Sequence, residues 1–278
     1  MDSLTDPFRL EFMQRGALEV ALLAPLAGLL GAQIVLRQLA FYTHGVGAAA
    51  FPGLVVAGPA GLPPSAAALA VGLVFATAAE RLRRTTRIGY DTATALLLVA
   101  ALSIGIVLAS DVFESGSEVD QLLFGSLLSI GDRELLTTVT ALGIVAVAAA
   151  GCRRSWIATG FDEPSSRSLG LRPAIGDVAL LSAIAVAVIA ALDATGALLV
   201  GAILVIPAAT ARLFATSVFS LELGAGALAL VEGVAGLWIA FQLDVPPGAA
   251  IATLGGAVFA VAGGVRAVSG PLAVRAGA

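Results

Sequence analysis

The stretch LVGAILVIPAATARLF, residues 199–214, is apolar over most of its length and carries a glycine and a proline before it reaches an arginine. Proline removes one backbone donor and clashes with the preceding helical turn, so Pro207 frees a carbonyl group that lipid cannot satisfy. Such a break is tolerated where a helix is buried in protein or lines a cavity. Gly201 and Pro207 therefore predict a broken helix beside a transport pathway, and the alternative is an ordinary kinked span.

The whole chain has the composition of an integral membrane protein. Of its 278 residues, 59% are hydrophobic and 12% are charged, and the mean hydropathy is +1.00. One soluble core cannot bury this much apolar surface. The 32 glycines suit helices that pack closely in lipid. The sequence predicts an all-α, polytopic membrane fold.

Apolar segments long enough to cross about 30 Å of hydrocarbon mark the predicted spans. They run at 17–36, 62–80, 92–110, 134–151, 174–192, 194–212, 220–243 and 248–266, and a further segment at 38–58 is rich in Gly and Ala. We predict eight spans, give or take one, in a single transmembrane domain covering residues 1–278. Residues 1–16 lack the features of a secretory signal and predict an interfacial elbow.

Charged residues between the spans predict the orientation. All fifteen basic residues are arginines, and they cluster at 81–87 and 153–172 and recur at Arg212, Arg266 and Arg275. These ends are predicted to be cytoplasmic, because basic residues near span ends favour that side. Acidic residues at 111–120, Asp193 and Asp244 mark the opposite side. The side of the N-terminus stays open, because it depends on whether 38–58 crosses fully.

Motifs for catalysis or nucleotide binding are missing from the sequence. There is no Gly-rich phosphate loop, so an ATP-driven role needs a separate ATPase subunit. Paired mid-membrane aspartates, a serine nucleophile motif with a histidine and a His-Glu-x-x-His zinc motif are also missing. We therefore expect neither an enzyme nor a nucleic-acid partner.

Six motifs occur in a fixed order along nearly the whole chain. They are FMQRGALEVALLAPLAGLLGAQIVLRQLAF at 12–41, YDTATA at 90–95, LLFGSLLSI at 122–130, TGFDEPSSRSLGL at 159–171, VGAILVIPAATARLFA at 200–215 and QLDVPPGAAI at 242–251. Together they resemble the ABC-3 family, the membrane permeases of ABC-type zinc, manganese and iron importers.

The resemblance implies an import channel formed by two copies of this chain, a permease homodimer, in the cell inner (plasma) membrane. Two cytoplasmic ABC ATPase subunits would drive it, and an extracytoplasmic metal-binding protein would feed it. The cargo would be a divalent metal ion, with zinc favoured and manganese or iron as alternatives. No cofactor would be bound permanently.

The cytoplasmic connection at 160–171 would then be the coupling segment that docks on the ATPase. It combines apolar and charged side chains, which suits partner docking. The alternative is a solvated linker. The predicted docking residues are Phe161, Asp162, Glu163, Leu169, Gly170 and Leu171.

The chain differs from the family pattern at the motif that contains possible metal ligands. The family pattern is close to Gly-Asp-x-x-x-His-Ala-x-x-Pro-Gly, where a carboxylate and an imidazole on one helix face can hold a divalent ion. This chain reads THGVGAAAFPG at 43–53, so His44 stands at the aspartate position and Ala48 at the histidine position. His44, the only histidine, is a candidate metal ligand in the pathway, and two copies could form a two-histidine site. The alternative is a packed or interfacial histidine.

Glu232 is the second unusual residue, because it lies midway through the predicted span 220–243. A carboxylate near the bilayer centre costs about 2.5–3.5 kcal/mol on insertion scales and is a functional-site hypothesis by default. Glu232 could replace the missing aspartate as a cation ligand. The alternative is a neutral glutamic acid that is hydrogen-bonded to backbone.

Three aspartates have simpler interpretations. Asp91 and Asp177 are predicted to be ion-pair partners or charges at helix starts, and Asp244 a turn or cap between spans. Two other functions stay open. One is an ion-driven secondary transporter, which would work without an ATPase, and the other is an ABC importer of a metal chelate or other small solute.

Overall fold

The computed structural model describes residues 7–112 and 130–275, and within these ranges the side chains of 111–112, 164–165, 193–198 and 270–275 are outside the description. In the described ranges the chain is helical, with no strand, which confirms the predicted all-α fold. The helices are α1 (Glu11–Leu36), α2 (Ala40–Ala49), α3 (Phe51–Ala57), α4 (Pro64–Thr86), α5 (Tyr90–Val107), α6 (Asp132–Phe161), α7 (Glu163–Ser168), α8 (Pro173–Arg212), α9 (Val218–Leu243) and α10 (Pro247–Arg275).

Three features of the sequence fall on residues that lie outside this description. They are the first six residues of the predicted elbow, the acidic residues at 111–120, and the motif at 122–130 apart from its last residue. That last residue, Ile130, is buried against Met13 and Val20 of α1. The rest of the elbow is a short 3-10 turn, Pro7–Arg9, which leads into α1.

Within the described residues, eight helical segments are long and apolar enough to cross a membrane, which lies within the predicted eight give or take one, but this set contains 40–57 and leaves out the predicted span 194–212. α2 and α3 together form one of them, Ala40–Ala57, so the Gly- and Ala-rich segment at 38–58 is a candidate span in its own right. The eight are Glu11–Leu36, Ala40–Ala57, Pro64–Thr86, Tyr90–Ser110, Asp132–Phe161, Pro173–Leu192, Val218–Leu243 and Pro247–Ser269.

α8 has two described halves, Pro173–Leu192 and Leu199–Arg212. As one straight rod, its 40 residues would span about 60 Å. Near its start, however, Asp177 contacts Arg37 at the end of α1, and at its end Arg212 lines a cavity with Leu36. The two halves therefore run in opposite directions. The predicted span 194–212 corresponds to the half Leu199–Arg212, which is apolar but shorter than the eight candidate spans.

Several helices begin or end at residues whose chemistry suits that position. Pro64 and Pro173 lie in the first turns of α4 and α8, where a missing N–H costs nothing. Gly170, with φ of +73°, makes the turn from α7 into α8. Asp244 takes the left-handed conformation that ends α9, which confirms its predicted role as a cap.

α1 packs closely against α8 and α9. Leu26 and Leu30 on α1 are completely buried. A Cβ at Gly31 would lie 2.5 Å from the carbonyl oxygen of Leu204 on α8, and one at Gly28 would lie 2.7 Å from that of Glu222 on α9. Both glycines let helix backbones touch, as is typical of membrane bundles.

The two ends of the bundle differ in charge. The arginine-rich end holds the C-terminal turns of α1, α4 and α6, the short helix α7, and the first turn of α8, where Arg37 and Asp177 pair. At the opposite end Arg15, near the start of α1, pairs with Asp132 at the start of α6. The N-terminal turn Pro7–Arg9 therefore lies at the end away from the predicted coupling segment.

Candidate functional site

His44 lies on α2 with its side chain exposed in the single chain, directly against the second half of α8. The point where a Cβ would stand on Gly201 is only 3.7 Å from the imidazole Nδ1 of His44. At this distance a Cβ would make ordinary van der Waals contact, so His44 packs against this turn of α8. The structure thus brings together two of the residues that the sequence singled out.

α2 is held firmly in the bundle, which fixes the direction of His44. The buried hydroxyl of Tyr42 donates a 3.0 Å hydrogen bond to the carbonyl of Leu181 in the first half of α8. On the neighbouring turn, a Cβ at Gly45 would lie 2.6 Å from the Thr94 side chain of α5. Packing on these two sides leaves His44 pointing outward from a rigid support.

Pro207 and Glu232 line one small cavity of about 10 Å³ between α8, α9 and α10. Pro207 has no N–H for the carbonyl four residues earlier, on Ile203, which lines the same cavity. The Glu232 side chain is buried, and its Oε1 has no hydrogen-bond partner among the described residues. Its Oε2 lies 3.0 Å from where a Cβ would stand on Gly255. Glycine at 255 makes room for the carboxyl.

The structure does not place Glu232 beside His44. His44 contacts Gly201, whereas the cavity of Glu232 is lined by Ala202, the next residue along α8. Successive helical residues point about 100° apart, so the two candidates meet different sides of this helix. Within the described ranges, no group of three or more His, Cys, Asp and Glu side chains could hold a metal ion.

Glu19 is a buried carboxyl that the sequence analysis missed. It lies on α1 with no exposed surface, and its Oε1 accepts a 2.7 Å hydrogen bond from the hydroxyl of Thr138 on α6. Its position inside the predicted span 17–36 was the available signal, since acids inside spans are costly. Its partner lies 119 residues away in sequence and was not predictable from the pattern.

The predicted coupling segment is presented at the arginine-rich end. Phe161, the last residue of α6, is 71% exposed, and Leu169, just after α7, is 58% exposed. Leu171 is half-buried, so it contributes less to the exposed apolar surface than the sequence predicted. Asp162 separates α6 from α7 in extended conformation and Gly170 turns the chain into α8.

Beneath the coupling segment lies a buried ion network, which consists of Arg37, Glu80, Arg83, Arg84, Glu163 and Asp177. The Asp177 side chain is only 3% exposed and accepts hydrogen bonds from Arg37 at 2.5 Å, Arg84 at 3.0 Å and Arg83 at 3.3 Å. The predicted ion pairing of Asp177 is confirmed. The convergence of three arginines on it was not predicted.

Glu80 is the second buried carboxylate of the network. It lies one helical turn before Arg83 and Arg84 on α4 and accepts hydrogen bonds from both. Tyr90, at the start of α5, is a third donor, and its hydroxyl lies 2.6 Å from the Glu80 carboxylate. Glu80 therefore orients the two arginines while they reach other helices.

Glu163, in the first turn of α7, is the carboxylate that brings the coupling segment into the network. It accepts hydrogen bonds from Arg84 at 3.4 Å, Arg83 at 3.5 Å and Arg167 at 3.1 Å. Burial raises the pKa of the Glu163 carboxyl, but the bond from Arg167 and the charges of Arg83 and Arg84 outweigh it, so this pKa lies below its ordinary value. Glu163 is therefore charged at neutral pH.

Comparison with known proteins gives consistent matches. Residues 9–265 match the model of the ABC 3 transport family. The manganese import system permease protein ScaB of Streptococcus parasanguinis is 27% identical, over 89% of this chain and 88% of that protein. The chelated iron transport system membrane protein YfeD of Yersinia pestis is also 27% identical, over 93% and 87%. Among solved structures, PsaBC from Streptococcus pneumoniae in complex with Fab gives a TM-score of 0.78 at 24% identity, over 93% of this chain and 94% of that one.

Proposed function

Because the chain belongs to the ABC 3 transport family, we propose that it is the membrane-spanning permease subunit of an ATP-driven importer of divalent metal. The family match over 9–265 carries this proposal and confirms the resemblance that the motifs indicated. The cargo is zinc, manganese or iron. Manganese and iron are supported by the relatives named for manganese and for chelated iron. Zinc is favoured by a site built from imidazoles.

The arginine-rich end faces the cytoplasm in this proposal, since basic residues near span ends favour that side. The coupling segment then lies where a cytoplasmic ATPase can reach it, and the turn Pro7–Arg9 lies on the extracytoplasmic side. The chain is a multi-pass protein of the cell inner membrane. It hydrolyses no ATP itself, because this work belongs to separate ATPase subunits.

The coupling segment docks on the ATPase through Phe161 and Leu169, whose exposed apolar side chains are unusual for a solvated loop. Asp162 and Glu163 supply charge at the rim of this surface. Gly170 sets the turn that presents Leu169, and Leu171 anchors the segment to the bundle. These roles follow from how exposed each residue of the coupling segment is in the structure.

The pathway runs past His44 and Gly201. In the homodimer that we propose, two copies of His44 approach each other across the axis and provide two imidazole ligands. One neutral imidazole binds metal weakly, so the partner copy completes the site. An extracytoplasmic metal-binding protein delivers the ion.

Pro207 and Glu232 line a cavity on a different side of α8 from the one where Gly201 meets His44. The cavity that they share offers one carboxyl group, and the rest of its lining is apolar apart from backbone. A divalent ion requires several ligands. We therefore favour a neutral Glu232 that lies in this cavity over its predicted role as a cation ligand.

The test is cellular metal content, measured by mass spectrometry in a strain that lacks this gene, with and without the wild-type gene restored. Zinc, manganese and iron are limited in turn. We expect a selective and restorable fall in one metal, and dependence of uptake on ATP separates this importer from an ion-driven transporter. Unchanged content of all three metals would contradict the proposal.

A second candidate cargo is a metal chelate. The observation that favours it is the loss of the family's ligand pair, since Ala48 stands where the histidine is expected. Uptake of radioactive free ion and of the same ion in a preformed chelate distinguishes the two cargoes. Faster uptake of the chelate supports this second candidate.

A further inference from the structure

The buried ion network connects the coupling segment to α8 by way of α4. Glu163 of α7 receives Arg83 and Arg84, and the same two guanidinium groups bind Asp177 in the first turns of α8. Arg37 adds a third bond to Asp177 from the end of α1. One pair of arginines is thus shared between the docking surface and a helix of the pathway.

The charges of this network balance internally. Arg37, Arg83 and Arg84 face three carboxylates, so no external ion is needed to neutralise it. The Glu80 and Asp177 side chains are each only 3% exposed. Separating a buried ion pair leaves a charge without compensation, which is strongly unfavourable. Parts of the network therefore tend to move together.

We propose that Arg83 and Arg84 transmit displacement of the coupling segment to α8, with Asp177 as the positioning residue that receives it. The first half of α8 starts near Asp177, and the second half carries Gly201 against His44. A shift of α7 on the ATPase thus reaches the pathway through side chains that are already joined by ion pairs. This inference rests on the proposed importer function.

A competing route runs through α6. The indole Nε1 of Trp156 donates a 2.9 Å hydrogen bond to the carbonyl of Gly176, next to Asp177. α6 continues directly into the coupling segment. Trp156→Phe removes this bond while keeping an aromatic ring, so it tests the second route separately from the network.

The experiment measures ATP hydrolysis and metal uptake separately in proteoliposomes that contain the permease with its ATPase subunits. Glu163→Gln breaks the link between α7 and the two arginines but leaves Asp177 paired. Hydrolysis is counted per bound ATPase, because Glu163 also lies at the rim of the docking surface, and we expect the metal imported per ATP to fall about fivefold or more. Glu163→Asp, which keeps the charge, should recover part of the ratio. A merely structural role would lower assembly and both activities together.

The matched control is Arg153→Gln, which breaks the 2.7 Å ion pair between Arg153 and Glu222 at the same end of the bundle. It should leave the ratio of metal to ATP unchanged. Asp177→Asn should lower the ratio in the same way as Glu163→Gln.

Two results overturn the inference. One is a wild-type ratio of metal to ATP in Glu163→Gln, whatever Trp156→Phe shows, and the other is a ratio that falls as far in the control Arg153→Gln as in Glu163→Gln. Failure of the wild-type complex to import metal with ATP is a different result, because it contradicts the proposed function itself.

Discussion

Arg37 and Asp177 lie 140 residues apart in sequence, yet their side chains form a 2.5 Å ion pair in which they are only 7% and 3% exposed. Arg37 also donates to the carbonyl of Trp156 and to the hydroxyl of Thr159 on α6. The end of α1 is therefore joined to α6 and α8 at one point. A single guanidinium group holds three helices of the bundle together.

Removing this group should destabilise the protein. In Arg37→Gln, Asp177 loses its shortest partner and two acceptors on α6 lose a donor, so we expect a loss of about 3 kcal/mol. Thermal unfolding in detergent should show a melting temperature lowered by several degrees. Arg153→Gln removes a more exposed ion pair and serves as the control. Equal melting temperatures for the two variants would argue against the importance of the Arg37 contacts.

Leu169→Asp should abolish association with the ATPase while the permease stays folded. A charge at the centre of an apolar docking surface loses burial and adds a desolvation cost. Co-purification of the ATPase measures the effect. Leu10→Asp makes the same change at an exposed leucine of the opposite end and should keep the ATPase bound. Normal co-purification with Leu169→Asp would refute the docking role.

His44→Ala should lower metal uptake by about tenfold or more, because the remaining groups near Gly201 offer no imidazole ligand. The double change His44→Asp with Ala48→His rebuilds the family's ligand pair on one helix face. Its uptake should recover, with a shift towards manganese, which prefers oxygen ligands. Uptake at the wild-type rate in His44→Ala would show that His44 is not a metal ligand.

Glu232→Gln should keep most of the import activity. The amide has nearly the size of a neutral carboxyl, so it fits the cavity beside Pro207, whose other side chains are apolar. Loss of import in Glu232→Gln, with normal expression and normal ATPase assembly, would instead restore the role of Glu232 as a cation ligand.

Gly31→Ala should disrupt the contact between α1 and α8. Its new Cβ would lie 2.5 Å from the Leu204 carbonyl oxygen and 2.9 Å from the Ala208 Cβ, so the helices must move apart. We expect a cost of about 2 kcal/mol, seen as a lower melting temperature. Gly143→Ala on α6 is the control, because nothing stands within 4 Å of its new Cβ. Equal stability of both variants would mean that the contact relaxes without cost.

The helical segments were predictable because they depend on local patterns. Runs of apolar residues gave most of the spans, and Asp244 marked a helix end, since these signals need only neighbouring residues. The docking surface at Phe161 and Leu169 was expected from the family resemblance and stays a prediction. Both side chains are exposed in the structure.

Contacts between distant residues were not predictable. Asp177 could be assigned an ion pair from its charge, but not three arginines from two helices. Glu232 was noticed because it is an acid in a span, yet only the packing of α10 reveals a cavity around it. A single sequence, read by itself, contains no information on which distant positions are in contact.

The bond between Glu19 and Thr138 has a consequence for how the protein is made. Chains leave the ribosome N-terminus first, so α1 is synthesised before Thr138, which follows Glu19 by 119 residues. Until α6 arrives, the carboxyl of Glu19 is in the bilayer without its partner, on a helix of which 67% of the most apolar window is later buried by other helices. α1 is thus made before the helix that completes its packing, and synthesis of α6 sets the earliest moment at which the bundle can close around it.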